Sequence, residues 1–549
     1  MPESDGGFAG YHPAIFGCEI QGLAAILPNA AERAPNLHAP ATNRRLTSAP
    51  TTAQITISPD LHRRGFAKRT LDMLDDELQA ALDRRAAKGT LRQLTIYPTS
   101  STAASTSSSS DQPLVDFSSN DYLSLATSSR VRADFAAIIA SDSPLSAQLG
   151  SAGSRLLDGN SSAHEAIEDD LTRHFASSEA GLLFNSGYEA NVSLLSTLPQ
   201  PKDVVIYDEL VHASVHDGLR RSRVPAHLRI PFRHNSVDHL RDILSRLRQD
   251  GTLTAGTSAA PGEQRNVWLA VESIYSMDGD ACPLRALLDT LSQHVPQHRI
   301  CAVVDEAHST AVYGSRGRGL VNALGLQDDP RITARLMTFG KAWGASGAIV
   351  LCSKIARHYL INYARPLIFS TALGYPQLAS ILAAFRSVQD GSAEKRARAT
   401  FGNARRLVDG LEGVIRSQSP AAKRTIALPP HLKPKQQAQL AVVADDDFVR
   451  WSMQQPSPIV PVLTSRAREL AAHLRANGLL ARPICYPTVP KGEDRVRICV
   501  HADNTTSDID RLIDSVQSWV HDDSGHISTR TEVGRHAAPS PAHALAAKL

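Results

Sequence analysis

Between Gly181 and Cys352, short apolar and β-branched runs recur with helix-patterned stretches between most of them. This alternation constrains the fold more than any other feature of the chain. The runs are Gly181–Phe184 (GLLF), Val204–Tyr207 (VVIY), Val267–Val271 (VWLAV), Ile300–Val304 (ICAVV), Leu336–Phe339 (LMTF) and Ala348–Cys352 (AIVLC). Ala163–Phe175 and Val237–Arg248 read as helices. Strands that are apolar at successive positions must be covered on both faces. The pattern therefore predicts an α/β fold with a mainly parallel sheet. In open sheets of this kind ligands lie beyond the carboxyl ends of the strands, so the residues following each run are where chemistry is expected.

Those residues are chemically pointed. The first run leads into "NSGYEAN", where Gly187 permits a tight turn and a helix start would aim free N–H groups at an anion. An ordinary strand–helix turn has the same look. The second leads into "DELVHAS" with His212; a lone histidine is more often a hydrogen-bonded structural residue. The third leads into "ESIYSMDGD" with Glu272 and Ser276, and the fourth into Asp305-Glu306-Ala307-His308. An aspartate there can simply cap the next helix. The fifth leads into "GKAWG", framing Lys341 between glycines. A lysine on a surface turn is ordinary, whereas one in a cleft loses basicity by desolvation and becomes a usable nucleophile. Pyridoxal phosphate requires all these features together. It needs a lysine for a Schiff base, a carboxylate at its pyridinium nitrogen, a helix N-terminus for its phosphate and a flat group against its ring.

Bulk properties narrow the setting. A chain of 549 residues is long enough for more than one domain, and 42% hydrophobic with 21% charged residues fits a soluble globular protein. A formal charge of +3 gives no basis for a nucleic-acid or membrane surface. The six cysteines are scattered without a C-x-x-C pair or a His/Cys cluster at metal spacing, which reads as a reducing intracellular compartment and no metal site. No apolar run reaches bilayer-spanning length.

Residues 1–60 lack periodicity and are expected to be poorly ordered; Glu3, Asp5 and Glu19 argue against a transit peptide. Residues 61–112 combine an amphipathic helix over Lys68–Leu94 with a linker at Ser101–Ser110. Surface inserts are expected at Asp250–Gln264 and Ala421–Asp447. A polar tail, 522–549, ends in Ala547-Lys548-Leu549, a variant of the S-K-L peroxisomal address that an import receptor would read; without that address the expectation is cytoplasmic.

The segments "DFSSNDYLSLA", "GSAGSRLLDGNSSAHEAIEDDL", "FNSGYEANVSLLS", "ELVHASVHDGL", "SIYSMDGDACPL", "VVDEAHSTAVYGSRGRG", "MTFGKAWGASGAIVLCS", "ARPLIFSTAL" and "YPTVPKGEDRVRICV" together resemble the α-oxoamine synthases, fold-type I pyridoxal-phosphate enzymes, from about Leu82 to Gln517. The resemblance implies a large cofactor-binding domain over 113–373 around a seven-stranded sheet, and a smaller α+β domain over 374–521. It implies Lys341 as Schiff-base lysine and Cα base, Asp305 at the pyridinium nitrogen, His308 and Ser276 near the ring's 3-hydroxyl, and His212 stacked on the ring. Gly187, Tyr188 and Thr338 would hold the phosphate, and Thr371 would reach it from the partner subunit of a homodimer. Arg497 would bind the amino-acid carboxylate with Asn120 beside it, and Arg92, less securely aligned, would lie near the acyl substrate. His164 is left as structural.

The resemblance is greatest to the branch that joins L-alanine to pimeloyl-CoA with loss of CO₂. Sister branches using glycine or serine with other acyl-CoAs stay open. So do a plain aminotransferase and a non-catalytic regulatory subunit of the same fold, although such subunits lose the lysine that is present here.

Overall fold

The computed structural model describes residues 71–97, 113–146, 148–175, 179–253, 265–417, 425–432 and 446–526. The expected N-terminal extension, the serine-rich linker, most of the two inserts and the terminal tripeptide lie outside the described residues. The chain divides into two compact units, Met1–Leu94 and Thr95–Leu549, so the expected boundary near residue 373 falls within the second. In the first unit a helix spans Leu71–Ala87, shorter than the stretch its leucine spacing suggested. Met73, Leu74, Leu78 and Leu82 are exposed on it, and Arg84 and Arg85 complement the dipole of its last turn.

Among its described residues the second unit contains twelve strands: β1 Val115–Asp116, β2 Ala180–Phe184, β3 Val204–Asp208, β4 Arg229–Phe232, β5 Val267–Glu272, β6 Ile300–Asp305, β7 Ile332–Thr338, β8 Ala348–Cys352, β9 Ile459–Leu463, β10 Leu479–Leu480, β11 Arg482–Ile484 and β12 Arg495–Cys499. Seven of them form one sheet in the order β2-β8-β7-β6-β5-β3-β4. Its pairs are parallel except that β8 runs antiparallel to both neighbours. The exception has a simple cause: β7 and β8 are joined by residues 339–347 alone, and only antiparallel neighbours can be joined without a crossover helix.

Six of the seven strands follow the apolar runs, within a few residues at their ends. The one that the pattern did not reveal, β4, is an edge strand reading RIPF and buried only at Phe232. An edge strand tolerates proline and needs no continuous apolar run. The helix Val237–Gln249 starts at Ser236, whose side chain accepts from His239 N–H; the helix Ser162–Phe175 begins one residue before its expected start.

A second sheet, β11-β12-β9, is antiparallel, and β1 pairs with β10. A separate hydrophobic cluster includes Val460, Val462, Val496 and Ile498 of that sheet with Leu407, Leu470 and Leu512 of the surrounding helices. Strand alternation then turns Arg495, Arg497 and Cys499 to the opposite face.

Candidate active site

Lys341 lies in the connection between β7 and β8, where Phe339 N–H donates to Gly347 C=O and Gly344 N–H to Lys341 C=O. Gly344 has a φ of 68°, and a Cβ there would come within 2.4 Å of the Ala126 nitrogen. Glycine is thus required for the loop to lie against the Leu125–Ala126 backbone. Lys341 Nζ is 2.7 Å from His308 Nε2, and His308 Nδ1 is 2.7 Å from the Tyr122 hydroxyl. Tyr122 in turn donates to Asn120 Oδ1 at 3.1 Å.

Arg497 closes the chain of bonds, with Nη2 donating to Asn120 Oδ1 at 3.0 Å and to the Tyr122 oxygen at 3.2 Å. Its Nη1 reaches Cys499 Sγ at 2.8 Å and its Nε donates to the Ser276 carbonyl. An ammonium can only donate, so His308 accepts at Nε2 and donates from Nδ1 to Tyr122. The bonds then run from the amine through His308 and Tyr122 to Asn120 Oδ1, which Arg497 meets as a donor from the other side.

Electrostatics favours a reactive amine. Burial brings the Lys341 pKa down to about 8, against the opposing pull of Asp305 and Glu272. Burial, with the nearby Lys341 and Arg497 charges, holds His308 well below the usual imidazole range, consistent with a neutral ring. Glu272 lies opposite Asp305 in the register of β5 and β6. Burial and the Asp305 charge push its carboxyl up to about 8, and its Oε1 has no hydrogen-bond partner among the described residues.

Asp305 accepts from Asn191 Nδ2 at 2.7 Å and from Ala307 N–H at 2.9 Å. Asn191 also donates to Ser214 Oγ at 3.0 Å, and Ser214 Oγ is 2.7 Å from His212 Nδ1. His212 is therefore tied to Asp305 through two side chains. Ser214 N–H also points at Nδ1 across 3.3 Å, so His212 accepts there and carries its proton on Nε2. Burial lowers its pKa, which keeps the ring neutral.

After the edge strand β2, Ser186 caps the helix Gly187–Thr197 through Glu189 N–H. The first-turn N–H groups at Gly187 and Tyr188 lack intrahelical partners and suit an anion. A Cβ on Gly187 would meet Thr338 Oγ1 at 3.4 Å, and Gly340 N–H lies 3.4 Å from that oxygen. The Tyr188 side chain turns outward to Asp217 and is exposed, so only its backbone faces this turn's axis. Thr371 is nearby in the same chain, its carbonyl accepting from Asn185 Nδ2 at 2.9 Å. His164 is buried between Ser161 and the Leu373 carbonyl. Arg92 belongs to the first unit and is exposed there.

One constellation thus gathers Lys341, His308, Asp305, His212, Asn120 and Arg497, with Ser276 contributing its carbonyl. Sequence reasoning passed over Tyr122, Asn191, Ser214 and Cys499. Two of them carried a readable signal: Tyr122 is two residues beyond Asn120, and Cys499 lies two beyond Arg497 on the same strand face.

The donor set fits pyridoxal phosphate. A buried amine of lowered pKa, a carboxylate held by Asn191, a neutral histidine and a helix N-terminus beside a threonine hydroxyl supply each element its binding needs.

Comparisons agree with this chemistry. The family model for aminotransferase class I and II matches residues 112–516. The 8-amino-7-oxononanoate synthase of Emericella nidulans is 42% identical over 81% of this chain and 96% of its own. Aminoacyl transferase sphA of Aspergillus fumigatus is 35% identical over 73% and 79%. In fold, serine palmitoyltransferase of Sphingomonas wittichii superposes with a TM-score of 0.62 at 23% identity, covering 84% of this chain and all of that one. 8-Amino-7-oxononanoate synthase from Francisella tularensis gives 0.52 at 21%, covering 75% and all of its own length. The chain belongs to the aminotransferase class I and II family and, within it, to the α-oxoamine synthases, pyridoxal-phosphate-dependent acyltransferases.

Proposed function

We propose that the protein condenses L-alanine with pimeloyl-CoA, releasing CoA and CO₂ and yielding 8-amino-7-oxononanoate, the step that carries biotin synthesis forward. The observation that carries this reading is the 42% identity to an 8-amino-7-oxononanoate synthase across 96% of that enzyme, together with Arg497 and Lys341 at opposite ends of one hydrogen-bonded chain.

Bound pyridoxal phosphate supplies the electron sink that makes heterolysis at the amino-acid Cα accessible. Asp305, fixed by Asn191, would hold the proton on the ring nitrogen, and neutral His212 would lie against the ring. Arg497 binds the alanine carboxylate with a fixed, permanently charged guanidinium that lysine could not reproduce. Lys341 Nζ takes the Cα proton. The Cα–C bond to the acyl group forms as the thioester C–S bond breaks and CoA departs with its electron pair. The carboxylate leaves as CO₂, and Lys341 returns a proton to Cα. His308 holds the lysine amine in place between these transfers and keeps it linked to Tyr122.

A second reading, a sister synthase with another amino acid and acyl-CoA, is favoured by the 35% identity to aminoacyl transferase sphA. Two further proposals accompany the first. Thr371 completes the phosphate site of the other subunit in a homodimer, and the terminal Ala547-Lys548-Leu549 directs the enzyme to peroxisomes, where chain-shortening of fatty acyl-CoAs would supply its substrate.

A CoA-release assay pairing alanine, glycine and serine with pimeloyl-, acetyl-, succinyl- and palmitoyl-CoA tests the reading. Turnover restricted to alanine with pimeloyl-CoA is expected. A clear preference for any other pair overturns the substrate assignment, and silence with every pair despite bound cofactor would favour the regulatory-subunit alternative.

A further inference from the structure

His234 stands apart from the chain of bonds around Lys341, yet it joins both segments that frame the site. Its Nδ1 lies 3.0 Å from Asp208 Oδ1 and 3.1 Å from Oδ2, and its Nε2 lies 2.8 Å from Asp280 Oδ2. With a carboxylate at each nitrogen, both nitrogens must donate, which makes the ring an imidazolium. Burial alone would depress its pKa, but the bonds to Asp208 and Asp280 prevail and raise it to about 10. The ring meets Tyr275 edge-on, with centroids 4.4 Å apart. Asn235 reinforces the same link, its N–H donating to Asp208 at 2.8 Å and its Nδ2 to Asp280 at 2.6 Å. Glu209 accepts from His234 N–H at 3.1 Å, and His431 faces the same turn, its Nε2 2.9 Å from the Asp278 carbonyl oxygen.

The two carboxylates belong to functionally different segments. Asp208 ends β3 and organises the turn into His212, accepting from Leu210 N–H at 2.8 Å. Asp280 closes the turn that begins at Tyr275, where Gly279 N–H donates to Tyr275 C=O and Tyr275 N–H to Asp280 C=O. That turn supplies the Ser276 carbonyl to Arg497 and the Asp278 carboxylate to the buried Arg495. One charged ring therefore ties the segment presenting His212 to the turn that holds Arg497.

We propose that His234 is a positioning residue that sets Arg497 relative to the face covered by His212, so that amino-acid affinity depends on a residue that never touches the substrate. This rests on reading Arg497 as the carboxylate anchor. The asymmetry is specific: the clamp acts on Arg497 and on the segment presenting His212, while the Lys341 connection and the Ser186–Gly187 turn are built without it.

The test uses the cofactor-loaded full chain and His234→Gln, Asp280→Asn and Arg497→Lys variants. Binding of alanine, glycine and serine is read from the absorbance of the bound cofactor, alongside steady-state constants for both substrates. His234→Gln and Asp280→Asn are each expected to weaken amino-acid binding about tenfold, the scale of one buried charged hydrogen bond. Cofactor content per subunit and the KM for acyl-CoA should stay within about twofold of the parent, a spread below that scale. Unchanged amino-acid affinity in either soluble variant overturns the proposal. So does a parallel loss of cofactor and acyl-CoA binding, or insolubility of both variants, since each would make His234 a general core residue. Arg497→Lys separates the premise from the proposal: unaltered amino-acid affinity there would remove the carboxylate anchor itself.

Discussion

Lys341 is less basic than a surface lysine because its amine is withdrawn from water. A surface lysine titrates near 10.4, whereas burial brings this amine to about 8 even with Asp305 and Glu272 pulling the other way. The free amine, which is the nucleophile, accumulates as pH rises through that value. Capture of added pyridoxal phosphate by the cofactor-free protein should therefore speed up through about pH 8 and level off above it. Stopped-flow absorbance measures this, and a rate still climbing towards pH 10 would contradict the assignment. Tyr122 is a second residue-scale case. Among the described residues, its hydroxyl links His308 to both Asn120 and Arg497. Tyr122→Phe should lower kcat/KM for the amino acid about tenfold, the cost of losing one buried hydrogen bond to charged neighbours, with cofactor retained. Steady-state kinetics with absorbance at the cofactor band would check both halves. The lysine was legible in sequence because glycines frame it after a strand; Tyr122 was not, because its partners His308 and Arg497 are far away in the chain.

At the scale of elements, the turn from Tyr275 to Asp280 does more than connect β5 to the next helix. Gly279 has a φ of 72°, and a Cβ there would lie 2.4 Å from the Ile459 carbonyl oxygen on β9. The turn is thereby pressed against the antiparallel sheet while it supplies Ser276 to Arg497 and Asp278 to Arg495. Gly279→Ala should destabilise the protein by about 1–3 kcal/mol through backbone strain and overlap, and should weaken amino-acid binding as the turn shifts. Thermal unfolding and the amino-acid KM report the two effects; an unchanged melting temperature would contradict the packing argument. The strands around this turn were readable because β2, β3, β5, β6, β7 and β8 are apolar runs. The edge strand β4 was hidden because exposure on one side relaxes the pattern. Its following residue pair, His234 and Asn235, was hidden for a related reason: a loop residue acquires its partners only when β3 and β5 lie side by side.

For the whole molecule, function depends on bringing two sheets to one point. Lys341, Asp305 and His308 come from the ends of the seven-stranded sheet, Arg497 from the three-stranded one, and Asn120 and Tyr122 from the segment after β1. Order along the chain made the cofactor chemistry legible, since each strand end delivers one part in turn. The closure of Arg497 onto Asn120 and Tyr122 was not, because it depends on the packing of segments separated by most of the chain. The fold and the cofactor are shared with aminotransferases, so what would distinguish this molecule is the proposed decarboxylative carbon–carbon bond formation, which combines all these parts. The most direct test supplies pimeloyl-CoA and alanine isotopically labelled in its carboxyl carbon, and follows labelled CO₂ against released CoA. The account predicts equal amounts of both, with the label absent from the product; CoA release without labelled CO₂ would contradict it.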